Sequence, residues 1–193
     1  MEINPIRLIG NWDEGFALDK HVKSSTYIGD DVYGNKQYET IRSELGEILY
    51  QFKYQNKYDS LYAIMEPIKS FLSEWQAIRH VRSVVPVPPS TLYRSYQPAF
   101  EIAREVANAL GTHYFESVLQ KSISTKSKNL GGDEKQRLTG TIVQSVMAKE
   151  KHSMLLVDDL YDSGKTLTEC VNTLRCDTNI EKIYVLTVTK TKG

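Results

Sequence analysis

Cysteine is scarce in this chain. Cys170 and Cys176 are the two present, six positions apart. That is neither a C-x-x-C nor a pair on one helical face, and a four-cysteine zinc site cannot be built within one chain. Two free thiols fit a cytoplasmic protein. The histidines are His21, His80, His113 and His152, with no H-x-x-x-H spacing, which argues against a zinc hydrolase. G-x-S-x-G is missing, and with it the nucleophile elbow of the hydrolases. No run approaches the roughly 18 apolar residues of a membrane span. The first residues, MEINPIRLIGNWDEGF, lack a basic segment followed by an apolar one, so no secretory leader is expected. Neither sign of charge is in excess. The 24 basic and 24 acidic residues leave a formal net charge of +0, which argues against a nucleic-acid binder held by bulk charge.

What is present suits one domain: 193 residues, 40% of them hydrophobic, can bury one real core. Residues 1–40 are rich in turn formers, with room for short strands such as STYIG. TIRSELGEILYQFKY, from Thr40, spaces Ile41, Leu45, Ile48, Leu49 and Phe52 as a helix does. A second helix is expected over 60–80, kinked at Pro67. SVVPVP (83–88) reads as a buried strand stopped by prolines. A third helix follows over 97–111, with Phe100, Ala103, Ala107 and Leu110 as its apolar stripe and Gly111 as its cap. HYFESVLQ (113–120), TIVQSVM, SMLLVDD and KIYVLTVT (182–189) read as strands, and KTLTECVNTLRC as a helix. Between the first two of those strands, residues 121–138 are polar and basic around Gly131-Gly132, which reads as a mobile loop. Strands alternating with helices predict an α/β fold: a three-layer parallel sheet flanked by helices, with ligands beyond the carboxyl ends of the strands.

The stretch SMLLVDDLYDSGKTLTEC carries G-K-T, the tail of an ATP-binding P-loop. A P-loop needs glycine five positions before the glycine of G-K, so that backbone amides can wrap the phosphates. Five before Gly164 stands Asp159, whose carboxylate would repel them. The stretch suits a monophosphate instead. A buried strand ends in Asp158 and Asp159, and a short loop of Asp162, Ser163, Gly164, Lys165 and Thr166 opens a helix. Amides at the positive helix end can grip a 5-phosphate. Carboxylates nearby suit ribose hydroxyls or a bound Mg²⁺.

This arrangement resembles the phosphoribosyl-pyrophosphate signature of the type I phosphoribosyltransferases. The resemblance implies that Asp158 and Asp159 bind the ribose 2- and 3-hydroxyls and meet Mg²⁺ through the Mg–donor complex. It implies that the 162–166 loop holds the 5-phosphate. VVPVPPSTLYRSYQPAFEIAREVANALG and GEILYQFKYQNKYD (46–59) resemble the ComF-type, competence-associated branch. That branch has an R-G-F-N-Q-like stretch where this chain has Arg94-Ser95-Tyr96-Gln97-Pro98, so only the Arg and an aromatic survive. Its frequent cysteine zinc module cannot form here. Its phosphate loop often reads T-T-G-A-T, whereas D-S-G-K-T resembles the hypoxanthine and xanthine enzymes. In those the residue matching Asp162 is the acid/base near the purine.

The resemblance implies a Mg²⁺-dependent transfer of phosphoribose to a nitrogen acceptor, such as a purine or other nucleobase, with release of pyrophosphate. The turn at Pro88 would present amides to pyrophosphate, and Arg94 would clamp its oxygens. Lys126, Lys128 and Arg137 would close over it as a lid. Catalytic roles therefore fall to Asp162, Arg94, Lys126, Lys128 and Arg137. Tyr161 would pack near the acceptor. Residues 1–60, which hold many of the 12 tyrosines, form an N-terminal extension and acceptor hood, and 61–193 form the core. The alternative is a non-catalytic module sensing phosphoribosyl pyrophosphate or a nucleotide, linked to DNA uptake or regulation. A homodimer is compatible with either reading.

Overall fold

A computed structural model describes residues 1–90, 94–122 and 142–191. Its central sheet has six strands in the order β1-β2-β10-β9-β5-β6. These are β1 (Ile6–Arg7), β2 (Glu14–Lys20), β5 (Val81–Pro86), β6 (His113–Tyr114), β9 (His152–Tyr161) and β10 (Ile180–Lys190). All neighbours pair in parallel except β1 with β2. The fold is therefore the expected three-layer α/β arrangement around a mostly parallel sheet.

Alternation along the central strands sorts two cores. Leu155, Val157, Tyr184, Leu186 and Val188 face the helices α1 (Glu44–Tyr54), α2 (Ser60–Glu74) and α3 (Pro98–Leu110). Met154, Leu156, Ile183 and Val185 face α4 (Lys165–Leu174) through Leu167, Cys170, Val171 and Leu174. Successive strand residues point to opposite faces, so a strand buried on both sides reads as one apolar run.

Several elements differ from their sequence reading. EGFALDK forms β2, an interior strand, although charges at both ends of it mask a core of Ala17 and Leu18. STYIG lies within β3 (Val22–Asp30), which pairs with β4 (Lys36–Arg42) in a separate hairpin. Asp31 closes its turn by accepting from the amides of Tyr33 and Asn35, each at 2.8 Å. HYFESVLQ is broken into β6 and β7 (Leu119–Lys121), and β7 pairs with β8 (Ile142–Gln144) in a second small sheet. The Phe115 amide makes the last ladder bond of β6, to the Val84 carbonyl at 3.0 Å, and the break follows it. On α3 the buried stripe is Ala99, Ile102, Ala103, Val106 and Ala107. Phe100 and Leu110 flank it, half-buried. Gly111 caps that helix in the left-handed conformation at φ 62°.

Candidate functional site

The carboxyl end of β9 delivers Asp158 and Asp159 to the rim of the sheet. The strand's alternation starts the two side chains toward opposite faces, and their carboxyls still come within hydrogen-bonding reach of each other at the rim. Asp158 stands beside Thr187 of β10, and its charge is felt at Cys170 of α4. Its Oδ1 accepts from the Asp159 amide at 2.8 Å. Burial first, and then the charge of Asp159, push the Asp158 carboxyl up to about 8. Burial also pushes the Cys170 thiol well up, so it is no nucleophile.

Asp159 points to the other face, where Lys53 of α1 meets it. Lys53 Nζ lies 2.9 Å from Oδ1 and 2.8 Å from Oδ2. The two side chains are only 14% and 11% exposed, so water screens the pair little. Local rules place Lys53 there. Ser43 caps α1 by accepting from the Gly46 amide at 2.9 Å, and donates to the Lys20 carbonyl at 2.5 Å. The start of the helix is thereby pinned to the end of β2. Gly46 lets the two approach, since a Cβ there would sit 2.2 Å from the His21 carbonyl oxygen. Leu45, Leu49 and Phe52 then bury the apolar stripe, and the next residue turns its ammonium into the cleft.

The 162–166 segment is continuous with β9. Gly164 holds φ 74° at the start of α4, where an L side chain is strained, and a Cβ would come 2.6 Å from the Tyr161 hydroxyl. The first amides of α4 have no partner within the helix and carry its positive end. They open on a cavity of ≈ 130 Å³ lined by Asp158 and residues 160–167. Asp162 does not cap the helix; its Oδ1 accepts from the Thr191 hydroxyl at 2.6 Å. Ser163 and Lys165 are exposed, and Thr166 is half-buried.

A second cavity, ≈ 250 Å³, shares Asp158, Leu160 and Thr166 with the first and adds Asp159. Its far wall holds Lys53, Tyr54, Arg94 and Lys121, with Pro88 at the end of the P-V-P segment. The Val87 amide donates to Val157 at 2.8 Å, which zips that segment onto β9. The Arg94 guanidinium lies 5.2 Å from the Tyr54 ring centre, and Lys53 Nζ lies 5.9 Å from it. Arg94, Pro88 and the paired acids are thus brought together. Lys126, Lys128 and Arg137 lie outside the described residues.

Sequence reasoning missed Lys53, Tyr54 and Lys121. The signal for the first two was present in GEILYQFKYQNKYD, where a lysine directly follows the buried Phe52. Lys121 stands at the first position of the basic 121–138 segment.

Beyond the acids, His21 shares a hydrogen bond with the Thr189 hydroxyl at 3.0 Å. Burial, then the charges of Arg42 and Lys53, hold its pKa below the ordinary value, so the ring is neutral at pH 7. The β3–β4 hairpin begins beside it and exposes Tyr27, Ile28, Tyr33 and Tyr38.

Two carboxylates are a suitable oxygen donor set for Mg²⁺, but an incomplete one. Among the described residues no group of three or more His, Cys, Asp or Glu could hold a metal ion. The remaining ligands would have to come from a bound polyanion and water. No described helix is long and apolar enough to cross a membrane.

No protein-family model matches the chain, and no curated protein matches it. Solved structures do. The orotate phosphoribosyltransferase of Aeropyrum pernix aligns with a TM-score of 0.48 and 14% identity, over 88% of this chain and 76% of that one. The adenine phosphoribosyl transferase of Trypanosoma brucei, solved with AMP, pyrophosphate and ribose-5-phosphate, aligns with a TM-score of 0.49 and 10% identity. That match covers 99% of this chain and 87% of the enzyme. The phosphoribosylpyrophosphate synthetase of Mycobacterium smegmatis aligns with a TM-score of 0.42 and 18% identity, over 64% of this chain and 32% of the synthetase.

Proposed function

We propose that the protein binds 5-phosphoribosyl 1-pyrophosphate with Mg²⁺ and transfers its phosphoribose to a nitrogen acceptor, releasing pyrophosphate. One observation carries this reading. The paired acids of β9 stand between two joined cavities, one at a helix amino end and the other walled by cations. A pentose carrying a phosphate at one end and a pyrophosphate at the other matches that order of charges.

In this reading the amides at 163–166 hold the 5-phosphate, and Asp158 and Asp159 accept from the ribose hydroxyls. Arg94, Lys53 and Lys121 face the pyrophosphate, with Lys126, Lys128 and Arg137 proposed to add to them as a lid. Bound Mg²⁺, held by the two acids and the donor's oxygens, would supply positive charge against the leaving group. The bond from the anomeric carbon to pyrophosphate oxygen breaks with its electron pair, and a bond to the acceptor nitrogen forms. The proton on that nitrogen passes to a base, for which Asp162 is the proposed group. No protein nucleophile is needed; the chain orients the ribose and excludes water. The β3–β4 hairpin is the proposed hood over a nucleobase acceptor, since it rises from the strand ends beside His21 and presents aromatic rings.

A non-catalytic sensor of the same donor is the second reading. It is favoured by the Ser95-Tyr96-Gln97-Pro98 departure after Arg94. Pyrophosphate release from the donor across a panel of purine and pyrimidine bases separates the two. Release with one base supports transfer. Calorimetric binding of the donor with no release from any base supports the sensor.

A further inference from the structure

Resting on that donor-site reading, we propose that Lys53 is a resident counter-ion of Asp159 and makes the cleft select pyrophosphorylated pentose phosphates over plain pentose phosphates. Both oxygens of Asp159 are engaged by the one ammonium, at 2.9 and 2.8 Å. A ribose hydroxyl that donates to Asp159 must displace it, wholly or in part. The displaced ammonium then needs another anion, because a buried charge without a partner is costly.

Among the described residues the ligand-filled cleft offers none. Its other described charged side chains are Arg94 and Lys121, which repel Lys53, and Asp158, which is near enough to feel the Lys53 charge but is taken up by the same ribose. The replacement anion has to arrive with the ligand, on the side of the ribose that faces Lys53, Arg94 and Pro88. A pyrophosphate at the anomeric carbon supplies it. Ribose 5-phosphate, which has only a hydroxyl there, does not. The stem of Lys53 is free to make the exchange, because α1 is fixed by Leu49 and Phe52 and not by the ammonium. The same logic acts in reverse. Once pyrophosphate leaves, Lys53 returns to Asp159 and weakens the hold on the 5-phosphoribosyl product.

The test is calorimetric titration with Mg²⁺ of two probes, 5-phosphoribosyl 1-pyrophosphate and ribose 5-phosphate, into wild type and Lys53→Met. Loss of the ammonium should weaken the pyrophosphorylated probe by at least about tenfold, the scale of one charge-assisted contact. It should tighten ribose 5-phosphate, because Asp159 is then free. A lysine that merely shaped the cleft would weaken both probes together, and that result overturns the proposal, as does no change in either. If Lys53→Met does not fold, Lys53→Gln keeps a hydrogen bond to Asp159, and the ratio of the two affinities must still fall. The donor-site reading fails separately: there the wild type binds neither probe, or Asp158→Asn with Asp159→Asn binds both unchanged.

Discussion

The two ends of the cleft are built differently. The proposed 5-phosphate end is a single continuous segment, from the tip of β9 through Gly164 into α4, and its attraction for anions would come from backbone amides. The opposite end is gathered from α1, the turn after β5, the start of α3 and β7, and its attraction comes from side-chain cations. The amides are preorganised and have no partner within the helix to lose on binding. The cations have partners already: Lys53 holds Asp159, and Arg94 lies against Tyr54. In the proposed reading the first end would therefore grip a phosphate at little cost. The second would have to exchange internal contacts for external ones, which makes it the proposed place where ligands are discriminated.

The sharpest way to break this comparison is Gly164→Val. The valine would need φ near 74° and would press on the Tyr161 hydroxyl, so the amides lose their geometry. Donor affinity should fall by at least about a hundredfold, the sum of several amide contacts, while β9 and the fold persist. Isothermal titration with circular dichroism checks both halves.

Asp158→Asn with Asp159→Asn comes next. It should cost at least about tenfold in donor affinity, since each carboxylate makes charge-assisted contacts. Unchanged affinity in a folded double variant would remove the ribose from this rim.

Arg94→Ala should cost less, about three- to tenfold, because the guanidinium gives up its Tyr54 contact when it turns to the ligand. The melting temperature should stay unchanged. A loss as large as that of the acids would mean that the cation end is as preorganised as the amide end.

The smallest effect is on stability. Asp158 has a folded pKa raised from 3.8 to about 8. A raised carboxyl disfavours its ionised form in the fold. Its stabilising share is therefore full below the unfolded value and is lost as pH rises from about 4 through about 8. Asp158→Asn, measured without ligand, should leave the melting temperature unchanged at pH 4. At pH 8 it should raise it by about 2–4 °C per kcal/mol regained. A lower melting temperature at pH 8 would show that the ionised form is well accommodated.

Legibility follows the same division. The strand–turn–helix that carries the proposed phosphate loop could be read from the sequence because its parts are adjacent in the chain and each type has a local reason. Strand residues precede the acids, glycine permits the turn, and α4 begins at once. Lys53 is invisible by the same method, for its partner is 106 positions away. Helical periodicity marks Leu45, Leu49 and Phe52 as the buried stripe and leaves a neighbouring lysine to look like solvated surface. β2 was obscured because its interior apolar core is only a few residues long between charged ends, and what makes it a central strand is pairing with β10. HYFESVLQ alternates as one strand would, but its first residues pair with β5 in the central sheet and its last with β8 in a separate one. The sheet as a whole was legible because the middles of β5, β9 and β10 are buried on both faces and read as apolar runs, such as Val84-Val85, Met154–Val157 and Ile183–Leu186.

The most direct measurement is a crystal structure of the protein with 5-phosphoribosyl 1-pyrophosphate and Mg²⁺. The expected result has the 5-phosphate on the amides of residues 163–166, the ribose hydroxyls on Asp158 and Asp159, and the pyrophosphate toward Lys53 and Arg94. A donor bound elsewhere, or with its 5-phosphate away from the start of α4, would contradict the account.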